Sequence, residues 1–287
     1  MKKRDEFIRV FLILLVLLVY PLNFLVSGIT ACGNISNSVS LTQSIYIQNG
    51  TCFTVNANNL YLNGSGFTVT GNTSGSFVLM NDTFNITINN FNARNFSTMI
   101  NLTRVNSSLF TGNNFTSDGF VSSDTGVITL ASSDNNSVSF NVIESNISGN
   151  SQVIDLTWVT TVVSRNNTIA FNRIKANDTN THGIAIRVAT NTTILSNIIE
   201  TNGTNSNGID IQGGGPNNTI SNNTINITGS SGIAIRINSI NNIVINNILN
   251  TIGSSAHGIS AVSGNKEINI SNNSILIAGN SANGIQF

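Results

Sequence analysis

The chain has 287 residues and a formal net charge of zero, and only 8% of it is Asp, Glu, Lys or Arg, against about a quarter in an ordinary soluble domain. That balance excludes the basic footprint of a nucleic-acid binder, and a 40% hydrophobic content excludes an intrinsically disordered chain. Asn, Ser, Thr and Gly carry the polar load, and only two prolines are present to interrupt strand ladders.

Residues 1–31 read as a targeting segment. Lys2, Lys3, Arg4 and Arg9 precede an apolar run from Val10 to Val26, the pattern of a secretory signal. The run is near the lower edge of a membrane span, about 17 residues, and Pro21 lies within it. Cleavage around Ser27 to Ala31 and retention as a signal-anchor through residues 10–26 both stand. Either way the rest is exported, to the cell surface, the medium or a periplasm. Four of the 12 basic and two of the 12 acidic side chains lie in the first nine residues, so the exported part carries about −2. Roughly twenty Asn-x-Ser/Thr sequons, among them Asn72, Asn81, Asn101, Asn177, Asn191 and Asn202, make it a candidate glycoprotein.

Residues 32–53 form an N-terminal cap segment with the two cysteines. Ile29-Thr30-Ala31-Cys32 fits a bacterial lipoprotein processing site, with Cys32 lipidated. The competing reading pairs Cys32 with Cys52, as two cysteines in an exported chain commonly do. That loop of about 20 residues would stabilise by roughly 3 kcal/mol. Lipidation would strand Cys52 as a free thiol, which favours the disulfide.

From residue 54 to 287 the chain repeats. Asn90, Asn114, Asn141, Asn172, Asn197, Asn223, Asn247 and Asn273 recur at spacings of 24, 27, 31, 25, 26, 24 and 26 residues. A second word, Gly183-Ile184-Ala185-Ile186-Arg187, returns as Gly208-Ile209-Asp210-Ile211-Gln212 and Gly232-Ile233-Ala234-Ile235-Arg236. A period near 25 built from short aliphatic words marks a stacked solenoid. Period two and β-branching select strand over helix. The expectation is an all-β parallel β-helix of about nine coils, roughly 40 Å long at strand spacing. The asparagines are expected to stack as one ladder at a bend. Asn tolerates left-handed backbone, and an amide that both donates and accepts can bond its copies above and below.

Ala31-Cys32-Gly33-Asn34-Ile35, Gly50-Thr51-Cys52-Phe53-Thr54-Val55 and the stretch from Asn58 to Gly71 resemble the opening of exported right-handed parallel β-helix proteins. These form the pectate-lyase-like superfamily, and NosD-type members are the most similar. The resemblance implies right-handedness and spans residues 31–287. It implies no single activity, because the fold serves lyases, hydrolases, epimerases, adhesins and metal-delivery proteins.

Copper delivery would need His, Met or Cys ligands. His182 and His257 fall three coils apart, about 14 Å, too far for one ion, so no metal or cofactor is expected. Aligning the Gly-Ile words places Asp155, Ala185, Asp210, Ala234 and Ser260 in one outward column, with Thr157, Arg187, Gln212 and Arg236 in the next. Asp155 and Asp210 would then lie about 9–10 Å apart, a separation compatible with an inverting glycosidase, flanked by Arg187 and Arg236. The longest unit, between Asn141 and Asn172, holds the only tryptophan, Trp158, with room for a loop that either exposes the ring or folds it over the rod. The resulting expectation is an exported, non-catalytic surface protein acting in adhesion, glycan binding or surface structure. Its partners would be polysaccharides or cell-surface glycans, and Arg187, Arg236, Gln212 and Trp158 would contact the ligand. The alternative is a polysaccharide lyase or glycoside hydrolase using Asp155 and Asp210. The sequence stops within a repeat word at Ile285-Gln286-Phe287, which suggests end-to-end self-association or a missing C-terminal cap.

Overall fold

The computed structural model describes residues 26–118, 126–147, 151–159, 162–261 and 267–287. The basic start and most of the apolar run lie outside the described residues. Within them, short strands joined by bends wind into a β-solenoid with three long sheets and one two-stranded sheet, Ser164–Arg165 with Ala189–Thr190. One coil illustrates the path. His182–Ile186 lies in the third sheet, Thr193–Leu195 in the first, Ile198–Thr201 in the second, and Ile209–Ile211 returns to the third. The first and third sheets have eleven strands each and the second has ten, and nine turns separate Phe53–Val55 from Ile285–Gln286.

Alternation sets inside and outside. In the first sheet, Phe110, Val138, Ile169, Ile194, Ile220 and Val244 stack in register, each fully buried. Burial of one such side chain contributes about 1.5–3 kcal/mol. The early coils are filled differently. Phe77 sits 5.7 Å from Phe53, 5.1 Å from Phe91, 5.8 Å from Phe96 and 6.0 Å from Phe115, centroid to centroid. At one bend Gly203, Gly229, Gly253 and Gly279 stack so closely that a Cβ on any of the last three would overlap the carbonyl of the glycine one coil earlier.

Asn113, Asn141, Asn172, Asn197, Asn223, Asn247 and Asn273 form the ladder, and each Nδ2 donates to the next Oδ1 at 2.9–3.0 Å. The same oxygen also accepts the preceding Asn's backbone N–H, as Asn223 Oδ1 does from Asn197 at 2.9 Å. The second Nδ2 hydrogen goes to a carbonyl of the coil before, as from Asn197 to Ile169 at 2.9 Å. Buried amides therefore satisfy one another through repetition, where an unpaired one would cost about 1–3 kcal/mol.

Two expected members are displaced by one position. Asn113 holds the rung, while Asn114 opens the strand Asn114–Ser117 and is exposed. At the start of the ladder Phe91, not Asn90, donates its backbone N–H to Asn113 Oδ1. The left-handed conformation belongs to the residue before the rung, as at Asn90, Asn222, Asn246 and Asn272, and not to the rung itself. A second set of buried amides links the bend after the third sheet, where Asn136 N–H donates to Asn167 Oδ1 and Asn218 N–H to Asn242 Oδ1, both at 2.9 Å.

Cys32 and Cys52 are bonded, S–S 2.01 Å, so neither thiol is available for lipidation. The bond ties Gly33–Ile35 to its neighbour in the third sheet, Phe53–Val55.

Candidate functional site

The outer side of the third sheet gathers the singled-out charges, with one change of register. Asp155 pairs with Ala185, Ala185 with Asp210, and Asp210 with Arg236, which continues to Ser260. Arg236 thus occupies the aspartate column, and Ala234 is a buried residue two positions earlier. The cause is the run Ile233-Ala234-Ile235-Arg236-Ile237. A two-residue slip keeps every side chain on its own face, so the aliphatic pattern alone cannot choose between registers. Gln212 stays in the second column, its N–H bonded to the Ile186 carbonyl at 2.8 Å.

This change places Arg236 directly over Asp210, while Arg187, in its expected column, covers Asp155. Arg236 Nε lies 2.6 Å from Asp210 Oδ1 and Nη2 lies 3.0 Å from Oδ2, the fork geometry that suits a guanidinium and a carboxylate. Gln212 Nε2 also donates to Asp210 Oδ2, at 3.3 Å. Arg187 Nε lies 3.2 Å from Asp155 Oδ1, and its Nη2 donates to Gln152 Oε1 at 2.6 Å. Both aspartate side chains are fully buried beneath these groups.

His182 closes the other side of Asp210, Nε2 to Oδ2 3.7 Å. Its Nδ1 accepts the Asn207 backbone N–H at 3.0 Å, and His257 Nδ1 accepts that of Asn283 in the same way. Both histidines therefore help to join coils. Burial above all holds the His182 imidazole below its ordinary value. Asp210 opposes this, and Arg236 and Arg187 add to it. A neutral ring with Nδ1 occupied presents Nε2–H to Asp210.

On the coils before Asp210 the same face opens into a cleft of about 470 Å³, lined by Asn101, Thr103, Thr129, Ala131, Thr157, Trp158, Val159 and Arg187. The strand Gln152–Thr157 delivers Trp158 to its rim. Beyond it Val159 is held against the preceding coil by its N–H to Ser132 Oγ at 2.8 Å and is bridged antiparallel to Val162. Residues 160–161 of this expected loop lie outside the described residues. The tryptophan is 46% exposed, with one part against the protein and one part open. Asn101 pairs with Thr129, and Thr103 runs through Ala131 to Thr157, giving an uncharged floor of Asn, Thr and Ala side chains with the Asp155-paired Arg187 at one wall. An indole over hydroxyls and amides can stack on an apolar ring face and hydrogen-bond its substituents.

The structure brings Trp158 and Arg187 together and places Asp210, Gln212 and Arg236 farther along the same face, outside the residues lining the cleft. The floor residues Asn101, Thr103 and Thr129 were not singled out from sequence. Their signal was present as threonine and asparagine in outward positions of three successive long strands, Thr98–Thr103, Gly126–Ala131 and Gln152–Thr157.

No family model matches the chain, and no curated protein matches it. Among solved structures, the surface protein and adhesin PfbA of Streptococcus pneumoniae superposes with a TM-score of 0.67 at 12% identity, covering 91% of this chain and 90% of that one. The polygalacturonase of Erwinia carotovora ssp. carotovora gives 0.50 at 12% identity, over 88% and 85%. At such identities the likeness speaks for the fold alone. The protein has the fold of the pectate-lyase-like right-handed parallel β-helix proteins.

Proposed function

We propose that this is an exported β-helix of the cell surface or envelope that binds polysaccharide in the cleft beside Trp158 and does not cleave it. The observation that carries the reading is a half-exposed indole beside an uncharged floor of Asn, Thr and Ala side chains, with Arg187 at one wall. Because its guanidinium is already paired with Asp155, Arg187 adds at most a weak preference for acidic sugars. A disulfide suits an oxidising, extracytoplasmic location.

Non-catalysis is supported by the state of the two acids. A general acid or nucleophile must reach the glycosidic oxygen or the anomeric carbon. Asp155 and Asp210 instead lie fully buried under Arg187 and Arg236, two coils or about 10 Å apart.

The test is a glycan-array screen of the disulfide-bonded chain, followed by titration of the best ligand against Trp158→Ala. Loss of the stacking residue is expected to weaken binding about tenfold, as for an interface anchor. Unchanged affinity would remove the cleft from the account. Reducing-end and unsaturated-product assays on uronic-acid and neutral polysaccharides should stay blank. Turnover abolished by Asp210→Asn with the fold intact would establish the enzymatic alternative instead.

A further inference from the structure

The bend between the first and second sheets has a feature that the third-sheet cleft does not use. One residue per coil there takes a left-handed conformation: Asn90, Gly112, Phe140, Phe171, Ser196, Asn222, Asn246 and Asn272. Asn, Gly and Ser are small or bond locally, whereas a bulky residue at positive φ is an outlier. Phe140 and Phe171 both sit at φ 57°. They are also 61% and 48% exposed, in adjacent coils, with rings stacked at 4.9 Å and an interplanar angle of 7°. Backbone conformation and water both disfavour phenylalanine at these positions.

The surroundings suit a ligand that is flat on one side and hydroxylated at its rim. Gly112 precedes Phe140 in the column and places no side chain against it. Beyond Gly112 the bend opens into a cleft of about 380 Å³ whose lining includes Asn63, Ser65, Asn90 and Asn92. Two of its amides are pre-set. Asn63 Oδ1 accepts the Ser65 N–H at 2.9 Å, and Asn92 Nδ2 donates to the Gly66 carbonyl at 2.7 Å. Each keeps its other amide atom for a ligand. The cleft lining is uncharged, and so are the outward columns of the first sheet beside it, from Tyr61 to Asn269 and from Asn63 to Ser271. On the second-sheet side the exposed Val142 and Ile198 are separated by Arg173 in their column, so no continuous apolar face extends there for a protein partner.

We infer that this bend is a second carbohydrate site, selective for a neutral pyranose chain. The Phe140/Phe171 stack takes the C–H face of one sugar, and the amides of Asn63 and Asn92 take hydroxyls of a sugar farther along. Asn92 lies two coils and Asn63 three coils before Phe140, about 10 and 14 Å, so a chain of a few sugars reaches both. The site lies on a different bend from Trp158 and stands without that reading.

The test uses the full chain and a Phe140→Asn/Phe171→Asn double variant, because asparagine is the residue other coils place in this conformation. Titration with neutral gluco-, manno- and xylo-hexaoses should find one that binds the unaltered chain, at least tenfold weaker binding by the double variant, and little change with Trp158→Ala. The thermal midpoint of the double variant should be unchanged or higher. Equal affinity for both proteins, or no binding of any neutral series to the unaltered chain, would overturn the proposal. A lower midpoint in the variant would make the stack a cohesive element. A dimer that the double substitution dissociates would make it a contact between copies.

Discussion

The outer faces of the second and third sheets use the same device with opposite outcomes. On the second, Lys175 sits beside Glu144 at 3.1 Å and Arg173 beside Glu200 at 3.0 Å, and every partner keeps substantial access to water. On the third, Asp210 and Asp155 are sealed under arginines. Stacking at one coil spacing brings charges together in both places, but only the third face buries its carboxylates completely. A surface pair contributes about 0–1 kcal/mol, whereas removing one partner of a buried pair costs about 3–5 kcal/mol, because the remaining charge is stranded. Position in a column therefore says little about energy until cover is known.

The largest effect that separates the faces should come from Arg236→Ala, expected to lower stability by about 3 kcal/mol in chemical denaturation as Asp210 loses its fork. A loss below about 1 kcal/mol would place this pair with the surface bridges. An intermediate effect should come from acid. The folded state holds His182 below its ordinary 6.5, so the unfolded chain takes up the proton first. Stability is then full above about pH 6.5 and falls as pH drops through that value toward the lower folded one. Glu144 is lowered too, held below 4.5 chiefly by its hydrogen bond from Lys175, so its contribution is lost in the same direction but only at more acid pH. Midpoints measured between pH 7.5 and 5 should decline in the unaltered protein and stay nearly level in His182→Gln. The smallest effect belongs to Lys175→Ala, expected to cost about 0.5 kcal/mol or less and to vanish in 1 M salt. A salt-insensitive loss would show that the second face is less open to water than its exposure implies.

Sequence reasoning reached the architecture because strand alternation and repeat period are redundant over many coils. An error in one coil is corrected by its neighbours. It failed where one coil had to decide alone. The doublet Asn113-Asn114 offers two rungs one residue apart, and only packing shows that the first is buried. Ile233 to Ile237 admits two registers of the same parity, and choosing between them decided whether Arg236 flanks Asp210 or covers it. Exposure of Phe140 and Phe171 was equally hidden, because phenylalanine beside a buried asparagine reads as core until the left-handed column is known.

The ladder has a consequence for altering the molecule. The rung from Asn141 to Asn172 spans 31 residues and that from Asn197 to Asn223 spans 26, yet both bonds are 3.0 Å. The additional residues of the longer coil are absorbed between its strands, around Trp158, and the coils on either side keep their pairing. Ladder bonding along the rod and the length of chain between its strands are thus separable. Chain length between the strands Gln152–Thr157 and Thr168–Ala170 can therefore change without resetting the scaffold that carries it.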